Sequence, residues 1–132
     1  MRTSLIPLSL VLLALAGCAT RPAPADRLAQ LLDGRSAGEP VKCLQLRDIR
    51  SSQVIDGIAI VYTTQNGTRY VNQPKAGAAF LHSDTILITD THTSQLCDID
   101  TVKLMNPGSR VITGSVGLDL FVPYPKPNTG KH

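Results

Sequence analysis

The sequence predicts an all-β fold. We expect a small antiparallel barrel or sandwich of about six short strands, preceded by one short helix. From residue 41 onward, short β-rich runs alternate with turn signals. Asn66-Gly67 lies between two such runs and is the strongest short-range hairpin signal. Asp56-Gly57 marks an earlier turn. Several short strands separated by turns are typical of small sandwiches and barrels.

The short helix is predicted over residues 25–33. Leu28, Leu31 and Leu32 have the i, i+3, i+4 spacing of one helix face, and Gly34 supplies a C-terminal stop. The β-rich runs then predict strands over residues 41–49, 53–55, 58–65, 68–72, 85–91, 99–105, 110–113 and 118–122.

The connections have their own turn chemistry. At Asn66-Gly67 we expect a type I′ turn, which needs positive φ at both central positions. Residues 106–109, Asn-Pro-Gly-Ser, suit a type II turn with Pro107 second and Gly108 third. Residues 73–83 predict an irregular segment with room for a helical turn. The three prolines of residues 123–127 predict an extended tail that leaves the fold, since proline cannot donate to a strand ladder.

The N-terminus has the order of a signal peptide. Arg2 precedes an apolar run over residues 5–16, which is shorter than the roughly 20 residues needed to span a bilayer. Leu15-Ala16-Gly17-Cys18 then resembles the lipobox of bacterial lipoproteins. This resemblance implies cleavage between Gly17 and Cys18, and lipidation of the Cys18 thiol.

The lipobox resemblance also implies a cellular location and a domain organisation. Residues 1–17 are the expected signal peptide, and residues 18–40 hold the lipidated cysteine, a tether and the short helix. Residues 41–126 are the expected β domain, and residues 127–132 are a tail. Because alanine rather than aspartate follows Cys18, the periplasmic face of the outer membrane is favoured over the inner membrane.

Two further cysteines, Cys43 and Cys97, remain once Cys18 is assigned to lipid. In an oxidising periplasm a disulfide between them is the default expectation. A reactive thiol or a pair of metal ligands is the alternative. No histidine or third cysteine lies at metal-ligand spacing from either residue, which weakens the metal alternative.

The charge balance indicates no nucleic-acid partner. The chain has 13 Lys and Arg against 10 Asp and Glu, and the excess is spread along the sequence rather than clustered. The aromatic side chains are too few and too scattered for a base-stacking platform and are expected in the core and at its rim: Tyr62, Tyr70, Phe80, Phe121 and Tyr124. Nothing in the sequence indicates a cofactor.

Asp90, His92 and Ser94 form the best catalytic-looking group. Spaced by two on a strand, they would share one face in the order of an acid-base-nucleophile relay, and a weak hydrolase is the resulting alternative function. No Gly-x-Ser-x-Gly elbow accompanies them, so a polar strand end is the favoured interpretation. His82 and Asp84 could join Asp90 and His92 in a metal site, but surface positions explain all four residues better.

Asp98 and Asp100 directly follow Cys97. Carboxylates in this position commonly accept hydrogen bonds from nearby backbone N–H groups. We therefore predict a turn role for both residues rather than acid-base catalysis.

A family resemblance rests on motifs spread over residues 41–126. These are Cys43-Leu44, Arg47-Asp48-Ile49, Val54-Ile55-Asp56, Arg69-Tyr70-Val71-Asn72, Leu96-Cys97-Asp98-Ile99-Asp100 and Leu120-Phe121-Val122-Pro123-Tyr124. The series resembles an uncharacterised family of small lipoproteins from Gram-negative bacteria. The resemblance implies a fold architecture and a cellular location, but it implies no activity. It also implies two more cysteines in many members, at places held here by Ala78 or Ala79 and by Val116.

These observations favour a non-enzymatic binding or accessory module held at the membrane by its N-terminal lipid. An envelope protein or peptidoglycan is the expected partner, and an exposed sheet edge is where a partner strand could add. A periplasmic inhibitor, a structural accessory of an assembly complex and the weak hydrolase are the alternatives.

Overall fold

A computed structural model describes residues 17–18 and 20–129 of the chain. The predicted signal peptide, apart from Gly17, lies outside the described residues, and so do Ala19 and the last three residues of the predicted tail. Within the described part, no helix is long and apolar enough to cross a membrane.

The described residues form one α-helix, nine strands and two short 3₁₀ helices. In chain order the helix and strands are α1 (Pro24–Leu31), β1 (Cys43–Gln45), β2 (Ile49–Ile55), β3 (Ala59–Thr64), β4 (Arg69–Asn72), β5 (Ile86–Thr89), β6 (Gln95–Cys97), β7 (Thr101–Met105), β8 (Ile112–Gly117) and β9 (Phe121–Tyr124). The 3₁₀ helices are Leu46–Asp48 and Ala78–Phe80.

The strands form three open antiparallel sheets with the orders β2-β3-β4-β9, β5-β7-β8 and β1-β6. The all-β prediction is therefore confirmed, and the arrangement is that of a small sandwich. The shortest sheet, β1-β6, closes one side by placing Leu44 and Leu96 in the core that the two larger sheets share.

The four-stranded sheet is covered on both faces. One face supplies Ile60, Tyr62 and Phe121 to the core shared with the three-stranded sheet. The other face carries Val61 and Val71, which pack against α1. Because both faces are covered, five of the six residues of β3 are buried, where a half-exposed strand would alternate.

The helix forms as its leucines predict. Leu28, Leu31 and Leu32 pack on the sheet, and Gly34 follows with φ 70°. Pro24 occupies the first turn, where its missing N–H has no intrahelical partner to lose. Burial of this apolar face, rather than intrinsic propensity, accounts for so short a helix.

The Asn66-Gly67 hairpin is confirmed, but the type I′ prediction is wrong. Gly67 has φ 85°, and Asn66 is not among the described residues with positive φ. Thr64 and Thr68 flank a three-residue loop in which Asn66 Oδ1 accepts from the Thr68 N–H at 3.0 Å. A single left-handed glycine therefore suffices, as in hairpins with a three-residue loop. The turn predicted at Asp56-Gly57 is also confirmed, and it joins the antiparallel strands β2 and β3.

The type II prediction at residues 106–109 is wrong as well. Positive φ falls on Arg110, at 60°, and not on Gly108. Asn106 Oδ1 accepts from the N–H groups of Gly108 and Ser109 at 2.9 and 3.0 Å, and the Arg110 N–H donates to the Asn106 carbonyl at 2.9 Å. The asparagine side chain thus organises a wider turn than its proline and glycine suggest.

The last strand extends further than predicted. Pro123 and Tyr124 belong to β9, opposite Tyr70 and Arg69 of β4. Two residues before the proline, the Phe121 N–H and carbonyl bond to Val41 on the side away from β4. Because backbone groups alternate along a strand, the missing N–H of Pro123 also faces away from β4, so no bond within the sheet is lost.

Other strand boundaries differ from the predictions in position. The predicted strand over residues 41–49 is divided by the 3₁₀ helix Leu46–Asp48, and the predicted short strand over residues 53–55 is the end of the seven-residue β2. Among residues 73–83, the predicted helical turn is the 3₁₀ helix Ala78–Phe80.

Candidate functional site

The segment that precedes α1 contains an exposed cysteine, Cys18. Gly17 and Cys18 are both exposed, and the Thr20 hydroxyl donates to the Cys18 carbonyl at 3.4 Å. Residues 20–23 have no regular secondary structure and lead directly into α1. The Cys18 sulfur is therefore sterically open to modification.

Two adjoining open clefts lie where this segment meets the sandwich. One has a volume of about 540 Å³ and the other about 590 Å³, and both are lined by Arg21, Asp56, Ser83 and Asp84. Arg27 of α1 lines the first cleft. Guanidinium and carboxylate groups at an exposed position attract each other weakly, so this charge pattern can position the segment but does not define a reaction.

The clefts are built on a link between two loops. Asp56, in the β2–β3 turn, accepts a hydrogen bond from the Ser83 N–H through its Oδ1. The Gly57 N–H donates to the Leu81 carbonyl at 3.0 Å. The β2–β3 turn thus fixes the segment that enters β5, and the two larger sheets are joined at this end of the sandwich.

Cys43 and Cys97 form a disulfide, as predicted. They are a directly opposed pair in the β1-β6 sheet, with Cα atoms 4.0 Å apart, and their sequence separation is 54. Their neighbours Leu44 and Leu96 are buried in the core at 5% and 1% exposure. The covalent bond therefore staples a short two-stranded sheet that has little ladder of its own.

The turn after β6 confirms the predicted structural role of Asp100. Its Oδ2 accepts from the Cys97 N–H at 2.7 Å, and its own N–H donates to the Cys97 carbonyl at 3.0 Å. Asp98 takes part through its backbone: its N–H donates to Lys42, and its carbonyl accepts from Lys75 Nζ at 3.1 Å.

Asp90, His92 and Ser94 do not lie on a strand, so the shared face expected for them is wrong. Strand β5 ends at Thr89, and the three residues belong to the exposed connection that leads to β6. Asp90 lies 3.7 Å from Lys103 Nζ, and no hydrogen bond joins the three side chains in the described part of the chain. Without the period-2 geometry of a strand, nothing aligns them as a relay.

The four residues considered for a metal site are divided by β5. His82 and Asp84 precede this strand, whereas Asp90 and His92 follow it. Across residues 17–18 and 20–129, no three His, Cys, Asp or Glu side chains cluster as a metal site.

A groove of about 410 Å³ runs between the edges of the two larger sheets. Ser52, Gln53 and Val54 of β2 line one side, and Ile86 and Leu87 of β5 line the other. Both strands are terminal in their sheets, so each has a backbone edge without a neighbouring strand in its own sheet. Such edges are where an extended segment of a partner can add by main-chain hydrogen bonds.

Residues with structural roles were missed by sequence reasoning. Arg35 donates from Nη1 to the Gly67 and Tyr124 carbonyls at 2.8 and 3.1 Å, and Arg69 donates from Nη1 to the Leu31 carbonyl at the end of α1. Burial, followed by the nearby Arg69 charge, lowers the pKa of Arg35. These contacts join segments that lie 32 to 89 residues apart, so no local sequence signal indicates them.

The fold and the site define a disulfide-stapled β-sandwich with one helix packed on its larger sheet. The chain belongs to a family of unknown function (DUF6491), whose model matches residues 1–114. The expectation of an uncharacterised family is thereby confirmed. Comparisons with curated proteins and with solved structures found no match.

Proposed function

We propose that this chain is a lipid-anchored module of the cell envelope that acts by binding. The proposal rests first on Leu15-Ala16-Gly17-Cys18 and on the exposure of Cys18 at the end of a short irregular segment. The Cys43–Cys97 disulfide supports it, because such bonds persist in oxidising compartments and are rare in reducing ones. The periplasmic face of the outer membrane is the proposed location.

Growth of a Gram-negative host with a radiolabelled fatty acid tests the anchor. The full-length chain should incorporate label and fractionate with outer membranes, whereas Cys18→Ser should remain unlabelled and unprocessed, because a thioether needs the sulfur. Cys43→Ser is the matched control: it removes a different cysteine and should still be labelled. Equal labelling of the wild type and Cys18→Ser would refute the anchor.

Binding, rather than catalysis, is proposed as the activity, and the groove between β2 and β5 is its proposed place. The groove offers two strand edges and a mostly polar β2 side, where Arg50, Ser51, Ser52 and Gln53 are exposed. A photo-crosslinking residue at position 52 should join the protein to one envelope partner in intact cells. The same residue at Asn128, near the end of the described chain, is the control.

A His92→Ala variant separates binding from the hydrolase alternative. Cells that carry this variant should have the same envelope phenotype as wild-type cells, and the variant protein should keep the wild-type melting temperature. The reason is that His92 is exposed and has no hydrogen-bonded partner among the described residues. A lost phenotype with unchanged stability and unchanged crosslinking would favour catalysis.

A further inference from the structure

The outer face of the three-stranded sheet is apolar at one end. Ile86 of β5, Met105 of β7 and Ile112 of β8 are partners across the three strands, with a β-bulge just before the Met105–Ile112 pair. Ile86 and Ile112 are 39% and 49% exposed, and Met105 is partly exposed. Because directly opposed side chains lie on the same side of a sheet, these three form one continuous stripe, here named the apolar row.

The rest of this face is more polar. The next set of partners along the strands is Ile88, Lys103 and Ser115, and Lys103 pairs with Asp90 at 3.7 Å. Thr101 follows at the far end of β7 and is exposed. The face is therefore graded: apolar side chains concentrate at the end where β5 begins and β7 ends.

The N-terminal segment leads to this apolar end. Arg21 lies beside Pro24 and Arg27 in the cleft next to α1, and it also lines the cleft formed by Thr85, Asn106 and Thr113. Those last three residues are the sequence neighbours of Ile86, Met105 and Ile112. Arg21 therefore lies between α1 and the edge of the apolar row, and Cys18 precedes it in the chain by three residues.

The reach of the remaining tether is short. Only three residue steps separate Cys18 from Arg21, which is about 10 Å of extended chain. Acyl chains on Cys18 would therefore enter the bilayer close to the apolar row, whichever way the rest of the domain points. Exposed Val111 and Arg110 lie at the same end, and a cationic side chain beside an apolar stripe suits the boundary between phospholipid headgroups and acyl chains.

We infer that the apolar row docks on the surface of the bilayer that holds the Cys18 lipid. This inference rests on the proposed lipid anchor. Docking would orient the sandwich with its apolar end toward the membrane and the far end of β7, with Ile99, away from it. The polar β2 edge would then rise from the membrane surface toward the periplasm, with its Asp56-Gly57 turn at the docked end.

Tryptophan fluorescence tests the docking, because the chain has no tryptophan of its own. Ile112→Trp places a probe in the apolar row, and Ile99→Trp places the control at an isoleucine that is 81% exposed in the β6–β7 turn. Each protein is purified from a Gram-negative host in the form that the host produces. It is then reconstituted into phosphatidylethanolamine and phosphatidylglycerol vesicles, with or without lipids brominated near the top of the acyl chains. Ile86→Trp serves as a second probe of the row if Ile112→Trp fails to fold.

Brominated lipid should quench the Ile112→Trp emission by about twofold, since interfacial side chains reach the acyl boundary, and should leave Ile99→Trp unchanged. Vesicle flotation measures anchoring separately. Proteins that float but show no difference between the two probes would overturn the docking while the anchor stands, and proteins that do not float would overturn the anchor. A concentration-dependent blue shift of Ile112→Trp in detergent would show that a second copy covers the row, which also overturns the inference.

Discussion

Asn72 and Asp119 hold each other by two reciprocal hydrogen bonds. The Asn72 Nδ2 donates to the Asp119 carbonyl at 2.5 Å, and the Asn72 Oδ1 accepts from the Asp119 N–H at 3.1 Å. Asn72 is fully buried at the end of β4, and Asp119 lies just before β9. This side chain therefore completes the backbone bonding of the segment that brings β9 to its place beside β4.

Asn72→Ala should lower the free energy of unfolding by about 1–3 kcal/mol, because it removes two part-buried hydrogen bonds, each of which contributes about 0.5–1.5 kcal/mol. Urea denaturation measures the change. Gln73→Ala alters the exposed next residue and should stay within about 0.5 kcal/mol of the wild type. An Asn72→Ala variant as stable as Gln73→Ala would show that Asp119 finds other partners.

Gly77→Ala should be far more destabilising than Gly57→Ala. Both glycines have positive φ, 78° and 67°, so both variants carry the strain of a left-handed alanine, about 1 kcal/mol. At Gly57 a Cβ would meet nothing within 4 Å, whereas at Gly77 it would come within 2.3 Å of the Ser115 carbonyl oxygen. That atom is backbone of β8 and cannot turn aside.

Thermal denaturation followed by circular dichroism compares the two glycine variants. The melting temperature of Gly57→Ala should fall by a few degrees, as about 1 kcal/mol implies for a domain of this size. The fall should be at least twice as large for Gly77→Ala. Similar melting temperatures would show that the 3₁₀ segment after Gly77 moves away from β8 at little cost.

Replacing both disulfide cysteines by serine should cost about 4 kcal/mol of unfolding free energy on the chain-entropy model. The large loop between Cys43 and Cys97 is the reason, together with the short β1-β6 ladder that the bond holds. Reduction of the wild type by dithiothreitol should produce a similar loss and should not affect the double variant further. Cys18→Ser, which removes an exposed thiol, should leave the stability unchanged.

Local patterns predicted most of the fold. The leucine spacing of Leu28, Leu31 and Leu32 reports burial of one helix face, and Asn66-Gly67 reports a hairpin, because both signals depend on neighbours in sequence. The type II turn at Asn106 was wrong because a side-chain acceptor decided the backbone conformation. The prolines of residues 123–127 predicted a tail that leaves the fold, but Pro123 lies in β9. An edge strand tolerates proline because one of its sides needs no N–H donor.

The candidate site was less predictable, since it depends on contacts between distant segments. Asp56 reaches Ser83 across 27 residues, and Asn72 reaches Asp119 across 47. The period-2 spacing of Asp90, His92 and Ser94 failed because the strand ends at Thr89. The disulfide was predictable from residue counting only because the resemblance of residues 15–18 to a lipobox set Cys18 aside and left two cysteines.

Burial of Tyr62 should make the folded protein less stable at alkaline pH, and a single substitution should remove this effect. Its ring is buried at 3% exposure, 5.9 Å from the Phe121 ring, and its hydroxyl has no hydrogen-bond partner among the described residues. Burial raises the pKa of Tyr62 above its ordinary value. Above about pH 10 the phenol of the unfolded chain ionises while the folded one stays neutral, so stability falls as pH rises, by about 1.4 kcal/mol per pH unit.

Tyr62→Phe should abolish this part of the alkaline loss, because phenylalanine does not titrate. At neutral pH it should also raise the free energy of unfolding, by about 1 kcal/mol, since an unsatisfied buried hydroxyl is removed and the ring contact with Phe121 is kept. Urea denaturation at pH 7, 9, 10.5 and 11.5 measures both effects. Tyr124→Phe, at the partly buried end of β9, is the control and should lose stability in alkali as the wild type does. If Tyr62→Phe instead follows the wild-type curve, the Tyr62 hydroxyl reaches water in the folded protein, and its burial does not limit stability.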